Sequence, residues 1–265
     1  MKNLLFILLM LFINVACFAQ RSKEVHDIKG SSMISGDVSP NQAKILALND
    51  AKTNALKAAG INETINAYQM LFTSHAKNDY SQFFSSDIQS EIQGAVKSYS
   101  ITSEKIYCKS ENEIVCDVII EANVIKYDSK PDVAFSAGID GIKGVYNNGE
   151  NLSFEVKASQ KCFLTIFNIT DTEASLLFPN QYEKDNALKP KEIYKFPRAE
   201  IDYSLGNEQK KQETNRLILV FTKSEIPYMK IDKTQATSAE NIFSWIYSIA
   251  PDQRKVEYFT LTILK

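Results

Sequence analysis

The stretch "KCFLTIFNITDTEASLLFPNQYEKDN", Lys161 to Asn186, holds two apolar runs parted by a polar turn and closed by Pro179 and a charged loop. "SLLFP" reads as a core strand that Pro179 ends, because proline has no N–H to give to a β-ladder. Asn180 then opens a polar loop. On either side "NLSFEVKAS", "EIYKFP", "NRLILVFTKS" and "VEYFTLTIL" share this texture of β-branched and aromatic residues between turn residues. Six such segments predict a β-sandwich or barrel. One stretch breaks the pattern. In "ATSAENIFSWIYSIA", Ala236 to Ala250, Ile242, Trp245 and Ile249 recur at helical spacing behind the caps Thr237 and Ser238. A helix there packs an aromatic face across the sandwich, with Trp245 as its anchor.

Upstream the texture changes near "YDSKPD", Tyr127 to Asp132, so the chain divides into residues 20–130 and 131–265. In the first part Ser39 caps a helix that Pro40 opens and Gly60 stops, giving a helix over 40–59. Its Ala47, Ala51, Ala55 and Ala58, beside Leu48 and Ala59, make a small-residue face that lies close on a sheet. A second helix starts at Asn62. "GAVKSYSITSEKIYC" and "EIVCDVIIEANVIKY" follow, and Ile114, Cys116, Val118, Ile120, Ala122 and Val124 alternate with polar positions as in a strand with one buried face. A hairpin turning at Asn112 sets Cys108 opposite Cys116 on one side of the sheet. Given export, that pair is a disulfide candidate; the competing reading is two buried thiols on an apolar face, which free cysteine tolerates. The expected fold class is α+β: a helix on an antiparallel sheet, then a β-sandwich that carries one helix.

The first nineteen residues, "MKNLLFILLMLFINVACFA", have the charge, apolar run and small-residue end of a secretory signal peptide, with cleavage before Gln20. A lipoprotein anchor at Cys17 is the competing reading, and Asn14 stands where a lipobox has an aliphatic residue. The expectation is an exported protein, periplasmic or at the cell surface, with peripheral association at the outer membrane as one option. No later apolar run approaches the roughly 18 residues that cross a bilayer. Lys and Arg number 30 against 32 Asp and Glu, and the densest basic group is Lys210–Lys211. Nucleic acid has no electrostatic footprint to meet.

Two resemblances add to this reading. "YNNGENLSFEVKASQKCFLTIFNITDTEASLLFPNQYEKDNALKPKEIYKFP", Tyr146 to Pro197, together with "NRLILVFTKSEIP" and the "FSWI" helix, resembles the domain of unknown function 4384 family. Membership implies a β-rich envelope or secreted module without assigned catalytic residues. "GSSMISGDVSPNQAKILALNDAKTNALKAAGI", "IQGAVKSYSI" and "CDVIIEANV" are similar to the N-terminal domain of the flagellar T-ring protein and to related small outer-membrane lipoproteins. That likeness implies an α+β envelope module that assembles with other proteins.

Chemistry has little to build on. Serine or cysteine nucleophiles need a nearby base, most often histidine, and the chain has only His26, before the first strand, and His75, at a helix end. Cys162, inside "KCFLTIF", reads as a small buried hydrophobe. No CxxC, HExxH or HxH spacing points to a metal, and no GxGxxG or GxxxxGK[ST] to a nucleotide. No catalytic residue, metal ligand, cofactor or small-molecule ligand is therefore assigned. The expected function is a non-enzymatic adaptor or scaffold for envelope proteins, acting through sheet edges and loops. Its candidate interaction loop is Asn180, Gln181, Tyr182, Lys184, Asp185 and Asn186. The alternative is a glycan- or peptide-binding module with Tyr182, Tyr194 and Tyr203 as stacking surfaces.

Overall fold

In the computed structural model, the residues described are 21–36, 38–62, 93–111, 113–170, 173–198, 201–206, 211–228 and 236–265. The leader with Cys17, the helix expected from Asn62 with His75, the turn residue Asn112 and Lys210 fall outside them. The fold is α+β.

The first sheet has three antiparallel strands in the order β1-β3-β2: β1 (Arg21–Ile34), β2 (Gly94–Ser110) and β3 (Glu113–Lys126). His26 lies inside β1, beside the bulge between Val25 and Ile28, not ahead of the first strand. Helix α1 (Pro40–Ala58) begins as expected, with Ser39 and Gln42 bonding each other's backbone N–H in a capping box. It ends in a Schellman motif. Gly60 takes φ +82, its N–H reaches the Lys57 carbonyl, and the Ile61 N–H reaches that of Leu56. Ala43, Ala47, Ala51 and Ala55 are fully buried on the even-numbered face of β3, where Cys116, Val118, Ile120, Ala122 and Val124 stand. Ala58, expected in that row, is exposed, because it sits in the last turn of the helix. The close approach is visible at Gly30 of β1, where a Cβ would fall 2.1 Å from the Ala47 carbonyl oxygen and 2.2 Å from the Ala51 nitrogen.

The rest of the chain forms a two-layer β structure. Its large sheet runs β14-β9-β8-β13-β15-β5: β14 (Ala236–Thr237), β9 (Ala174–Phe178), β8 (Cys162–Ile169), β13 (Gln212–Thr222), β15 (Arg254–Leu264) and β5 (Val145–Asn147). A short β10 (Ala187–Leu188) adds to β8. The facing sheet is β11-β7-β4, from β11 (Ile193–Phe196), β7 (Phe154–Ala158) and β4 (Ala137–Asp140), beside a ribbon of β6 (Glu150–Asn151) and β12 (Ser204–Leu205). All six expected segments are strands. Between the layers Phe154, Phe178, Phe196, Leu217, Leu219 and Phe221 belong to one core.

The large sheet is buried on its other face as well. Phe167, Ile169, Ile218 and Val220 pack there against helix α2 (Ala239–Ser248), whose Ile242, Phe243 and Ile246 share a core with Val96, Val118 and Ile120 of the first sheet. This accounts for the largely apolar runs "CFLTIF" and "LILVF", since a strand covered on both faces has no solvent side to show. The chain changes sheets at 127–132, and residues on both sides of that point share one core through α2. Trp245, edge-on to Phe167 and Tyr228 at 5.6 Å from each, anchors the helix on the large sheet.

Two polar contacts fasten the same junction. Lys52 of α1, almost wholly buried, pairs with Glu240 of α2 and holds its ammonium 4.1 Å from the Tyr99 ring centre. Arg254 donates to the carbonyls of Ile246 and Ile249, taking up acceptors that the end of α2 leaves open. The same guanidinium lies over the Tyr127 and Tyr247 rings.

Candidate functional site

β2 is the end strand of the first sheet, and among the described residues no strand pairs with its outer edge. α1 lies mainly over β1 and β3 and touches β2 little. The first three residues of β2 are buried, whereas nearly all those beyond are exposed. On the α1 side Ile101, Ile106 (50% exposed) and the neighbouring Ile114 stand open; on the other side Tyr107 and Met33 do. An apolar hairpin end, bare on both faces, thus borders a free run of backbone N–H and C=O groups, the geometry that accepts a further strand. Bulges at Val96/Ser98, Ile101/Ser103 and Cys108/Ser110 twist this edge. On the face away from α1, Asp117 accepts from the Tyr107 hydroxyl at 2.9 Å, from Ser31 Oγ at 2.7 Å and from the Lys29 ammonium at 2.7 Å. Partial burial alone would raise the carboxyl of Asp117, but these three donors outweigh it and hold it below the usual carboxylate range.

Cys108 and Cys116, the disulfide candidate, are not bonded to each other in the structure. The bulge at Cys108/Ser110 moves the register, so Cys108 faces Ile114 and Cys116 faces Ile106. The two cysteines share a face but stand diagonally, and such neighbours lie about 7–8 Å apart, beyond comfortable bridging range. Cys108 is exposed and Cys116 buried. Cys162 is fully buried on β8, and burial pushes its thiol up to about 11. At neutral pH it holds its proton, as a core side chain does and an activated nucleophile does not. His26 lies 3.5 Å from Glu121 on the exposed surface.

The loop from Asn180 to Asn186 is tied down from within. Asn180 Oδ1 accepts from the N–H groups of Tyr182 and Glu183, and its Nδ2 donates to the Leu177 carbonyl and the Tyr203 hydroxyl. Asp185 accepts from the Ala187 N–H and from Arg198. Glu183, which the sequence did not single out, is buried, and its Oε1 accepts from the Tyr194 hydroxyl at 3.0 Å and the Arg198 N–H at 2.9 Å. Burial and the Glu183 charge drive the Tyr194 hydroxyl far above its ordinary range. Tyr194 is thus interior and not a stacking surface, and Tyr203 packs on Phe196 with ring centres 4.7 Å apart. Tyr182 (74% exposed), Gln181, Lys184 and Asp185 are what the loop offers outward. Beside it Leu176, Pro179, Pro227 and Tyr228, with Asn180 and Lys184, line an apolar groove of about 400 Å³.

Among the described residues no group of three or more His, Cys, Asp and Glu side chains could hold a metal ion, and no helix is long and apolar enough to cross a membrane. No curated protein and no solved structure matches the chain. Residues 145–225, from the first residue of β5 to just past β13, match the family described as "Domain of unknown function (DUF4384)", so the sandwich carries the domain that its sequence resembles.

Proposed function

We propose that this protein is a non-enzymatic, exported adaptor that takes an extended segment of another envelope protein as an added strand along β2. The observation that carries this is the outer edge of β2, which no strand pairs among the described residues, beside the exposed Ile101, Ile106 and Tyr107. Strand addition draws affinity from main-chain hydrogen bonds and selectivity from alternate side chains, and here the apolar residues flank the open edge. The leader-like residues 1–19 support export, and the likeness of residues 20–130 to envelope assembly modules supports a protein partner. The test is a photo-crosslinking residue at Ile106 of the full-length protein in cells, with Asp140 on the distant β4 as control. One predominant adduct at 106, absent at 140 and lost in Ile101→Lys, is expected in an envelope fraction whose mature chain begins at Gln20. A chain that stays unadducted, or adducts equally from both positions, rejects the reading.

The groove between Pro179 and Tyr228 favours a second reading, a peptide- or glycan-binding module. Trp245 is the single tryptophan and Tyr228 of the groove touches it, so its fluorescence reports occupancy. A saturable change with peptide or oligosaccharide that Tyr228→Ala abolishes would move the assignment there.

A further inference from the structure

At one end of the sandwich the inner face of the large sheet turns polar. Leu217 and Leu219 of β13 point into the core, and two and four residues back along the same face come Asn215 and Glu213. Across the ladder Asn168 of β8 stands opposite both Leu217 and Ser175 of β9, so the three strands present Asn168, Ser175 and Asn215 side by side. Thr170 and Glu173, which bond each other through backbone and hydroxyl, finish the row. These six residues line a cavity of about 270 Å³ that Tyr203 helps to cover.

Two features make this end unlike an ordinary frayed sandwich. Asn215 is only 4% exposed, and its Oδ1, like that of Asn168, is buried without a hydrogen-bond partner. Buried polar atoms in folded proteins are paired as a rule, so two orphans lining one cavity mark a place where something else supplies the partner. Beside Leu152, Leu177 and Leu205, the lining offers two carboxylates, two amide carbonyls and the hydroxyls of Thr170, Ser175, Tyr203 and Ser204, and no basic side chain. Oxygen acceptors of these mixed kinds, in a space wider than one ion, are the donor set of Ca²⁺, which takes six to eight oxygens in loose geometry and keeps water among them. Mg²⁺ demands a tighter octahedron.

We propose that this cavity is a binding site for a hard divalent cation of the Ca²⁺ class, with Glu213, Asn215 and Asn168 as its principal side-chain ligands. Sequence motifs could not show it, because the ligands come from two strands more than forty residues apart and two of them are asparagines. The site lies on a different sheet from the β2 edge, and neither proposal depends on the other.

The test uses the full chain and Tb³⁺, which occupies Ca²⁺ sites and emits when a nearby tyrosine is excited; Tyr203 is in place to do this. Saturable emission is expected, displaced by Ca²⁺ and far less by Mg²⁺, with affinity reduced roughly tenfold in Glu213→Gln. Asn215→Leu removes a ligand and an orphan together, so it is expected to fold with undiminished stability while losing the rise in melting temperature that Ca²⁺ gives the parent. Absence of saturable emission overturns the proposal, as does emission unchanged in both variants. Displacement by methylammonium but not by Ca²⁺ also overturns it, by making the cavity an amine site.

Discussion

The Cβ that Gly30 lacks would stand 2.1 Å from the carbonyl oxygen of Ala47. The obstructing atoms are helix backbone, so no side chain can swing aside. Gly30→Ala must lift α1 from the first sheet and is expected to destabilise the protein by about 1–3 kcal/mol. Gly144→Ala, which meets nothing within 4 Å, is the control and should stay within about 0.5 kcal/mol. Chemical denaturation of both variants checks this.

Arg254 satisfies the end of α2 and lies over Tyr127, joining the two sheets through one side chain. Arg254→Met keeps much of the packing and removes the donors. Leaving buried carbonyls unpaired should destabilise by about 1–3 kcal/mol, with faster amide exchange in α2 and near Tyr127 than at β7. Uniformly faster exchange would mean that Arg254 has no special place at the junction.

Asp117 gives the fold a pH response with a definite sign. Its carboxyl is held below the usual range by Lys29, Ser31 and Tyr107, so the folded state binds its proton less readily than the unfolded state. The resulting stability is present above the ordinary carboxylate value of about 4 and is lost as pH falls through the lower folded value. Melting temperatures of the parent and Asp117→Asn should differ most near neutral pH and converge in acid.

The three cysteines among the described residues should separate by reactivity. Cys108 is exposed, Cys116 and Cys162 are buried, and burial pushes both buried thiols up. A maleimide reagent should label Cys108 of the native protein within minutes and the other two only after unfolding. Resistance of Cys108 under non-reducing conditions, relieved by a reductant, would mean that it is oxidised in the native protein.

How far the sequence reached follows from what each signal depends on. The capped helix at Ser39 and the strands around "SLLFP" are written in local chemistry, and they appear where expected. The hairpin register failed because a bulge leaves the apolar alternation intact while sliding the partner strand. The sharing of one core was hidden for another reason. "CFLTIF" announces burial on both faces but not what lies on each, and α2 reaches across from residues more than seventy positions later. The loop at 180–186 was recognisable as a loop, yet the buried Glu183 that organises it looks in sequence like any surface acid. Asn168 and Asn215 become neighbours only once β8 and β13 are in register.

One feature of the large sheet bears on how the chain is made. β5 runs parallel to β15, with Val145 opposite Thr262, and β15 also pairs along the whole of β13. The stretch that matches the family, residues 145–225, therefore leaves the ribosome without the strand that joins its two ends. Closing so distant a pair is entropically slow, so β13 keeps an open, strongly apolar edge until β15 emerges. The sheet that forms the middle of the fold is thus the last to be completed, and the order of synthesis keeps its most apolar strand half-paired the longest.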